Sequence, residues 1–195
     1  MRIAYLFHWN EGIESGVLKK IISQVNCWQD DGNSVAVFQI IHKDKVNNAF
    51  SSSNWGLFTY DSLAAKFSAW EEAVKAIQSW SPDIVYHRYD LFYPALNKLA
   101  KRVPMVVEIN TNDILEYGFR SPRGLYNLVF RDFILKYASG FVFVTHELQD
   151  SRYFTKYKKP SLIVGNGINL NDFPVIESKG AGGEENRNIS VVFVG

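Results

Sequence analysis

Glu108 is the most chemically conspicuous residue of this chain. It follows an apolar run at residues 105–107, where a buried strand should still be running. A carboxylate in such a place needs a partner or a shifted pKa. Arg88, at the tip of the preceding apolar run at residues 84–86, is the nearest partner by order. A structural Glu108–Arg88 pair and a ligand-holding role for both residues fit the sequence equally well. Arg88 lies in His87-Arg88-Tyr89-Asp90, a quartet suited to an anionic or polyhydroxyl ligand, or to a surface salt bridge. Beyond Glu108, Asn110 offers an amide, and Asp113 and Glu116 offer a base and a polar ligand. Loop acids also occur simply as solvated groups.

A second group of residues is built for backbone approach. Asn10-Glu11-Gly12-Ile13-Glu14-Ser15-Gly16 joins a first apolar run to a helical pattern. Gly12 and Gly16 would let a ligand come close to the main chain, and a helix N-terminus favours anions. A plain turn with a Ser15 cap is the alternative. The spacing matches neither the dinucleotide fingerprint Gly-x-Gly-x-x-Gly nor a phosphate loop closed by Gly-Lys-Ser/Thr. Asn166-Gly167 follows the last run of this part and reads either as a turn or as a ligand loop beside a hinge. No Gly-x-Ser-x-Gly elbow is present, which disfavours a hydrolase triad. The four histidines have no metal-ligand spacing, and with one cysteine there is no zinc pattern. Cys27 falls on a helical face and reads as a packed small residue.

The elements that must position these residues follow from the same pattern. Five apolar runs, at residues 3–7, 84–86, 105–107, 141–144 and 162–164, each end in a polar cluster. Unbroken apolar runs mark strands buried on both faces, as in a parallel sheet, and open parallel sheets bind ligands beyond their carboxyl ends. Residues 35–41 and 55–60 add two more strands, and residues 42–54 read as a polar loop. Val17, Ile21, Val25 and Trp28 make an amphipathic helix stopped at Gly32. Leu63, Phe67, Trp70, Val74 and Ile77 define a helix over residues 61–79 that ends before Pro82. Shorter helices are expected at 91–102 and 149–157. A further helix begins at Ser121-Pro122, with Leu125, Leu128, Val129 and Phe133 on its inner face. Alternation of this kind predicts an α/β, Rossmann-like, doubly wound and mainly parallel sheet with helices on both faces.

Composition narrows the class further. With 195 residues and 47% hydrophobic content, the chain can bury a real core. A net charge of +1 supports neither nucleic acid nor membrane as a partner through electrostatics alone. No apolar run approaches the ~18 residues of a spanning helix, and the single thiol is compatible with a reducing cytoplasm. Aromatic residues reach 15%; most sit at core spacing, and a few exposed ones could stack on sugars. Residues 1–175 read as one Rossmann-like domain and the glycine-rich stretch 176–188 as a linker. Residues 189–195 are an apolar strand that either joins the first sheet or opens a further domain. The boundary-like linker favours the further domain.

Several of these segments resemble the retaining GT-B glycosyltransferases of family 4. Val164-Gly165-Asn166-Gly167-Ile168-Asn169 with Phe173-Pro174 is similar to the end of that family's first domain. Pro82-Asp83-Ile84-Val85, Glu108-Ile109-Asn110 with Glu116, and Ala138-Ser139-Gly140-Phe141-Val142 resemble its strand motifs. The resemblance implies an N-terminal, acceptor-side domain, with the active site in a cleft against a C-terminal donor-binding domain of the same polypeptide. It implies a metal-independent, retaining transfer of sugar from a nucleotide-sugar co-substrate to a glycan or lipid-linked acceptor, as in polysaccharide biosynthesis. No further cofactor is expected. The setting is cytoplasmic, with peripheral association at the inner face of the membrane. Gly12, Ser15 and Gly16 then face the donor phosphates, Arg88, Glu108, Asn110 and Asp113 shape the acceptor side, and Asn166 and Gly167 lie at the hinge. The resemblance identifies no catalytic residue, and this fragment alone is expected to be inactive. The family's usual glycine pair is Glu11-Gly12 here, and its histidine after the strand at Val106 is Asn110. The alternative is a self-contained, flavodoxin-like binding module without catalysis. A nucleotide-sugar epimerase is disfavoured by the missing dinucleotide glycines.

Overall fold

A computed structural model describes residues 1–48, 52–118 and 120–165. It contains β1 (Arg2–His8), α1 (Gly16–Asp30), β2 (Ser34–His42), a 3-10 turn at Lys43–Asn48, β3 (Trp55–Tyr60), α2 (Leu63–Trp80), β4 (Ile84–Arg88) and α3 (Pro94–Ala100). There follow β5 (Met105–Ile109), α4 (Asp113–Tyr117), α5 (Pro122–Phe130), α6 (Asp132–Leu135), β6 (Gly140–Phe143), α7 (His146–Gln149), α8 (Arg152–Thr155) and β7 (Ser161–Ile163). All strands are parallel, in one seven-stranded sheet of order β3-β2-β1-β4-β5-β6-β7. The chain winds outward from β1 to β3, then restarts at β4 on the other side of β1. Strand order therefore reverses between β1 and β4, and a doubly wound sheet opens a crevice at that point.

Side chains alternate across the sheet into two apolar layers. On one face Tyr5, Phe7, Val35 and Val37 pack against Leu18, Ile21 and Val25 of α1. On the other, Leu6, Phe38, Val85 and Phe141 pack against α2, α3 and α6 through Trp70, Leu96 and Ile134. Trp70 stacks on Tyr93 at 4.5 Å and meets the His87 ring edge-on at 5.7 Å. Ser15 and Ser62 cap α1 and α2 by accepting from Leu18 N and Ala65 N. Gly32 takes a left-handed φ of 81° just after α1, as the sequence requires. Ser81, held out of the right-handed helical region by Pro82, ends α2 at φ 54°.

Several elements differ from expectation. Residues 42–54 carry a 3-10 turn rather than an unbroken loop. Helix α3 starts at Pro94 and not at Leu91, because the residue before a proline is driven to extended backbone and Tyr93 has φ −131°. The expected helix at 149–157 is replaced by α7 and α8, separated by the Ser151 cap. Leu63 is 74% exposed, since it is the first helical residue of α2 and overhangs the core. Cys27 is exposed rather than packed. The largest reversal concerns α5. Leu125, Leu128, Val129 and Phe133 are exposed, and the buried positions of α5 are Gly124 and Asn127, followed by Arg131. Periodicity had grouped the apolar residues correctly but assigned them to the wrong side.

Gly124 explains part of that reversal. A Cβ placed there would stand 1.7 Å from the Gly118 carbonyl oxygen. The turn after α4 therefore presses directly on α5. Glycine to alanine normally stabilises a helix interior by roughly 1 kcal/mol. Gly124→Ala is expected to have the opposite sign, a loss of about 1–3 kcal/mol from overpacking, read by urea denaturation.

His87 supplies a pH dependence. Its ring is fully buried, Nδ1 bonds the Leu6 carbonyl at 3.0 Å, and Nε2 has no hydrogen-bond partner. Burial pushes its pKa down from 6.5 to about 4. Between those values the unfolded chain binds the extra proton and the folded one does not, so stability falls as the pH is lowered. The contribution is fully present above pH 6.5 and lost progressively toward pH 4, a change of at most about 3 kcal/mol. Denaturation midpoints across that range should fall for the parent and flatten in His87→Gln; parallel curves would show that another group carries the effect.

Candidate functional site

At the reversal point the carboxyl ends of β1, β4 and β5 enclose a cavity of about 420 Å³. His8 lines it from the end of β1, Trp9, Asn10 and Glu11 from the turn that follows, and Arg88, Tyr89 and Asp90 from the end of β4 and just beyond. Asn110, Thr111, Glu116 and Tyr117 close the β5 side, and Arg123 reaches in from α5.

Asp90 organises the cavity. Its Oδ2 lies 3.1 Å from His8 Nδ1 and 3.6 Å from Lys66 Nζ of α2. Its Oδ1 accepts from Arg123 Nη2 at 2.5 Å and from the Tyr117 hydroxyl at 3.3 Å. Burial opposes ionisation of this carboxyl, but contact with His8 and the charges of Lys66 and Arg123 outweigh it and hold its pKa well below the usual range. The contacts to Oδ2 are ion-pair contacts and not in-line hydrogen bonds. On the far side of the His8 ring, Nε2 stands 2.8 Å from the Tyr60 hydroxyl, which accepts from Asn10 Nδ2 at 3.0 Å. The Tyr60 hydroxyl also donates to Asn10 Oδ1 at 3.4 Å and Lys66 Nζ stands 3.5 Å from His8 Nδ1, so the contacts accommodate the ring proton on either nitrogen; on Nδ1 it faces Asp90 and Nε2 accepts from Tyr60. Burial lowers the His8 pKa, so the ring is neutral at pH 7.

Arg88 is the second centre. Its Nη1 donates to Glu108 Oε1 at 3.0 Å and to Asn110 Oδ1 at 2.7 Å, and its guanidinium lies 5.9 Å from the Trp9 ring centroid. Glu108 is fully buried beneath it, bonded also by Lys20 Nζ at 2.9 Å and the Tyr5 hydroxyl at 3.2 Å. Burial would raise the Glu108 pKa, but Lys20 and Arg88 prevail and lower it. Glu108 is therefore the foundation that aims Arg88 and Asn110 into the cavity.

The structure thus brings Arg88 and Asn110 together in the cavity and sets Glu108 directly behind them. Asp113 is elsewhere: it is buried under α5, where Arg131 Nε and Nη2 each reach it at 2.8 Å and Asn127 Nδ2 adds a third bond. Gly12, Ser15 and Gly16 lie at the α1 N-terminus. Ser15 N bonds the Gly12 carbonyl at 3.0 Å, while Ser15 Oγ accepts from Trp9 Nε1 at 2.9 Å as well as capping the helix. That hydroxyl locks Trp9 beside Arg88. Asn166 and Gly167 lie outside the described residues, as do the linker at 176–188 and the strand at 189–195. Sequence reasoning missed His8, Asp90, Lys66, Tyr60 and Arg123 as a group. His8 and Asp90 were visible as the first polar residues after two strands; Lys66 and Arg123 gave no signal. Among the described residues no group of three or more His, Cys, Asp or Glu could hold a metal ion.

No family model and no curated protein matches the sequence. Solved structures match the fold. A UDP-GlcNAc 2-epimerase from Methanocaldococcus jannaschii superposes with a TM-score of 0.57 at 11% identity, over 85% of this chain and 46% of that one. A UDP-N-acetylglucosamine 2-epimerase described as putative, from Listeria monocytogenes, gives 0.53 at 10% identity, over 82% and 44%. An alpha-glucosyltransferase in complex with UDP and DNA gives 0.51 at 14% identity, over 88% and 42%. The chain spans less than half the length of these proteins. Its fold is the Rossmann-like α/β domain of GT-B enzymes, as the sequence led us to expect. Epimerases also carry this fold, so the fold alone does not separate them from glycosyltransferases. Among the described residues no helix is long and apolar enough to cross a membrane.

Proposed function

We propose that the chain is the acceptor-holding half of an enzyme that moves sugar from a nucleotide-sugar donor to a glycan or lipid-linked acceptor. The cavity at the strand reversal carries this reading. Arg88, Asn110, Asp90 and Arg123 offer donors and acceptors to hydroxyl groups, and Trp9 and Tyr117 offer aromatic faces to sugar rings. The GT-B fold supports it. A second domain of the same polypeptide, joined through residues 176–188 and opening at 189–195, would bind the donor across the cleft. Main-chain amides at Gly12 and Gly16 would then meet the departing diphosphate and stabilise its developing charge, with Ser15, whose own N–H is held by the Gly12 carbonyl, shaping the loop between them. The reaction needs no metal and no cofactor beyond the nucleotide sugar. Its setting is the cytoplasmic face of the membrane, in polysaccharide assembly.

The test is an assay of the 195-residue chain, and of a polypeptide that carries the second domain, against a panel of nucleotide sugars. Transfer is expected only from the longer polypeptide. Transfer by the shorter chain would refute the division of labour. Release of an epimerised nucleotide sugar instead of a glycoside would move the assignment to epimerisation.

The resemblance implies retention of anomeric configuration. The His8–Asp90 contact favours a second reading, inversion. In the tautomer that carries its proton on Nδ1, turned to the Asp90 carboxylate, Nε2 is an acceptor, which is the arrangement of a general base. An acceptor hydroxyl would take the place of the Tyr60 hydroxyl at Nε2. The product anomer, read by proton NMR, decides between the two.

A further inference from the structure

We propose that the cavity takes an acceptor whose sugar carries an oxyanion, a carboxylate or a phosphate, and that Arg88 selects it. The inference rests on the reading of the cavity as an acceptor site and names the acceptor's chemistry.

Arg88 has donors to spare. Nη1 gives its hydrogens to Glu108 Oε1 and Asn110 Oδ1. Nε and Nη2 donate to nothing among the described residues, and neither is sealed in protein. These nitrogens form the side edge of the guanidinium, whose parallel N–H groups match the paired oxygens of a carboxylate or phosphate. Glu108 and Asn110 hold the other edge, and the Trp9 ring lies 5.9 Å from the guanidinium. The group is therefore fixed before any ligand arrives, which lowers the cost of binding. Asn110 adds a further donor. Its Oδ1 is taken by Arg88, so Nδ2 is the free end of the amide, and it is buried without a partner. A buried donor left unpaired is costly, and a ligand oxygen would satisfy it.

Charge separates an oxyanion from a neutral hydroxyl. Each buried carboxylate of the site faces a pair of cations. Glu108 has Lys20 at 2.9 Å and Arg88 at 3.0 Å, and Asp90 has Lys66 at 3.6 Å and Arg123 at 2.5 Å. His8 is neutral at pH 7 and offsets nothing. Arg123 is half exposed, but Lys20, Arg88 and Lys66 are only 18, 14 and 13% exposed. These shielded cations alone outnumber the carboxylates. The other acids that line the cavity, Glu11 and Glu116, are exposed at its rim, where water and salt screen them. An unbalanced cation out of water is relieved by an anion and not by a hydroxyl group. The donor diphosphate belongs, on the same reading, to the amides at the α1 N-terminus, which leaves Arg88 to the acceptor.

The test is isothermal titration of the 195-residue chain with methyl glucuronide, glucose 6-phosphate, methyl glucoside and UDP. An acidic sugar is expected to bind at least about tenfold tighter than methyl glucoside, the worth of a charge-assisted hydrogen bond. Which acid binds tells carboxylate from phosphate. Arg88→Gln is expected to abolish that advantage. Arg88→Lys keeps a cation beside Glu108 but not the paired N–H groups, and should lose most of the advantage while keeping the parent's circular dichroism and melting temperature. Equal binding of acidic and neutral sugars overturns the proposal, as does failure of both acids to bind or an advantage that survives both variants. Binding of UDP that is tighter than that of either acid and depends on Arg88 would give the guanidinium to the donor and overturn it too. Transfer by the two-domain polypeptide to neutral acceptors alone would sink this inference and leave the sugar-transfer reading intact. Arg88-dependent binding of an acidic sugar without any transfer would do the reverse.

Discussion

Asp113→Ala should destabilise the domain by about 3–5 kcal/mol, the range for a buried ion pair that loses one partner. Arg131 is 2% exposed and donates twice to that carboxylate. Without it the guanidinium is left with the Tyr153 carbonyl at 3.1 Å and the Tyr157 hydroxyl at 3.5 Å, too little for a desolvated cation. Asn127 loses its acceptor at the same stroke. Urea denaturation of the single variant and of Asp113→Leu with Arg131→Met separates the two contributions. The double variant is expected to recover much of the loss, because apolar groups of similar volume avoid the desolvation cost. A single variant within 1 kcal/mol of the parent, on the order of a surface substitution, would mean that the pair does not hold α5 in place.

The second large effect concerns His8. On the inverting reading, His8→Ala in the polypeptide carrying both domains lowers kcat by about 10²–10⁴-fold, the range for a lost general base. Retention would make the loss small, since a departing phosphate oxygen can take the acceptor proton itself. The pH profile adds a check. Burial lowers the His8 pKa from 6.5, so the base stays unprotonated on the acid side of the ordinary imidazole range. Activity of the parent should therefore hold as the pH falls through 6.5 and drop only below it. A profile that breaks above 7 would exclude His8 as the base.

The sheet was legible because parallel strands, buried on both faces, leave continuous apolar runs with polar ends. The Arg88–Glu108 pair was legible because a carboxylate interrupts one of those runs. The rotation of α5 was not. Periodicity tells which residues share a face, and the Arg131–Asp113 pair, across 18 residues, together with Tyr126 and Phe130 packed on Phe92, decides which face is turned in. The same limit hid the cavity's organisation. Lys66 comes from α2 and Arg123 from α5, and both meet Asp90 through folding alone. Lys20 likewise reaches Glu108 across 88 positions. The start of α3 was misplaced for a local reason, the proline at 94, which chemistry of the backbone could have supplied.

Asp90 gathers a strand end, two long side chains from helices and a tyrosine around one carboxylate. Any exchange there would release all of them together, so this corner cannot drift by small steps. Glu11 lines the cavity without touching Asp90, and Thr111 and Glu116 bond each other instead. Selection for a new ligand would therefore act on those rim positions. Descendants of a common ancestor that diverged in preference should vary there and keep the aspartate with its attendants.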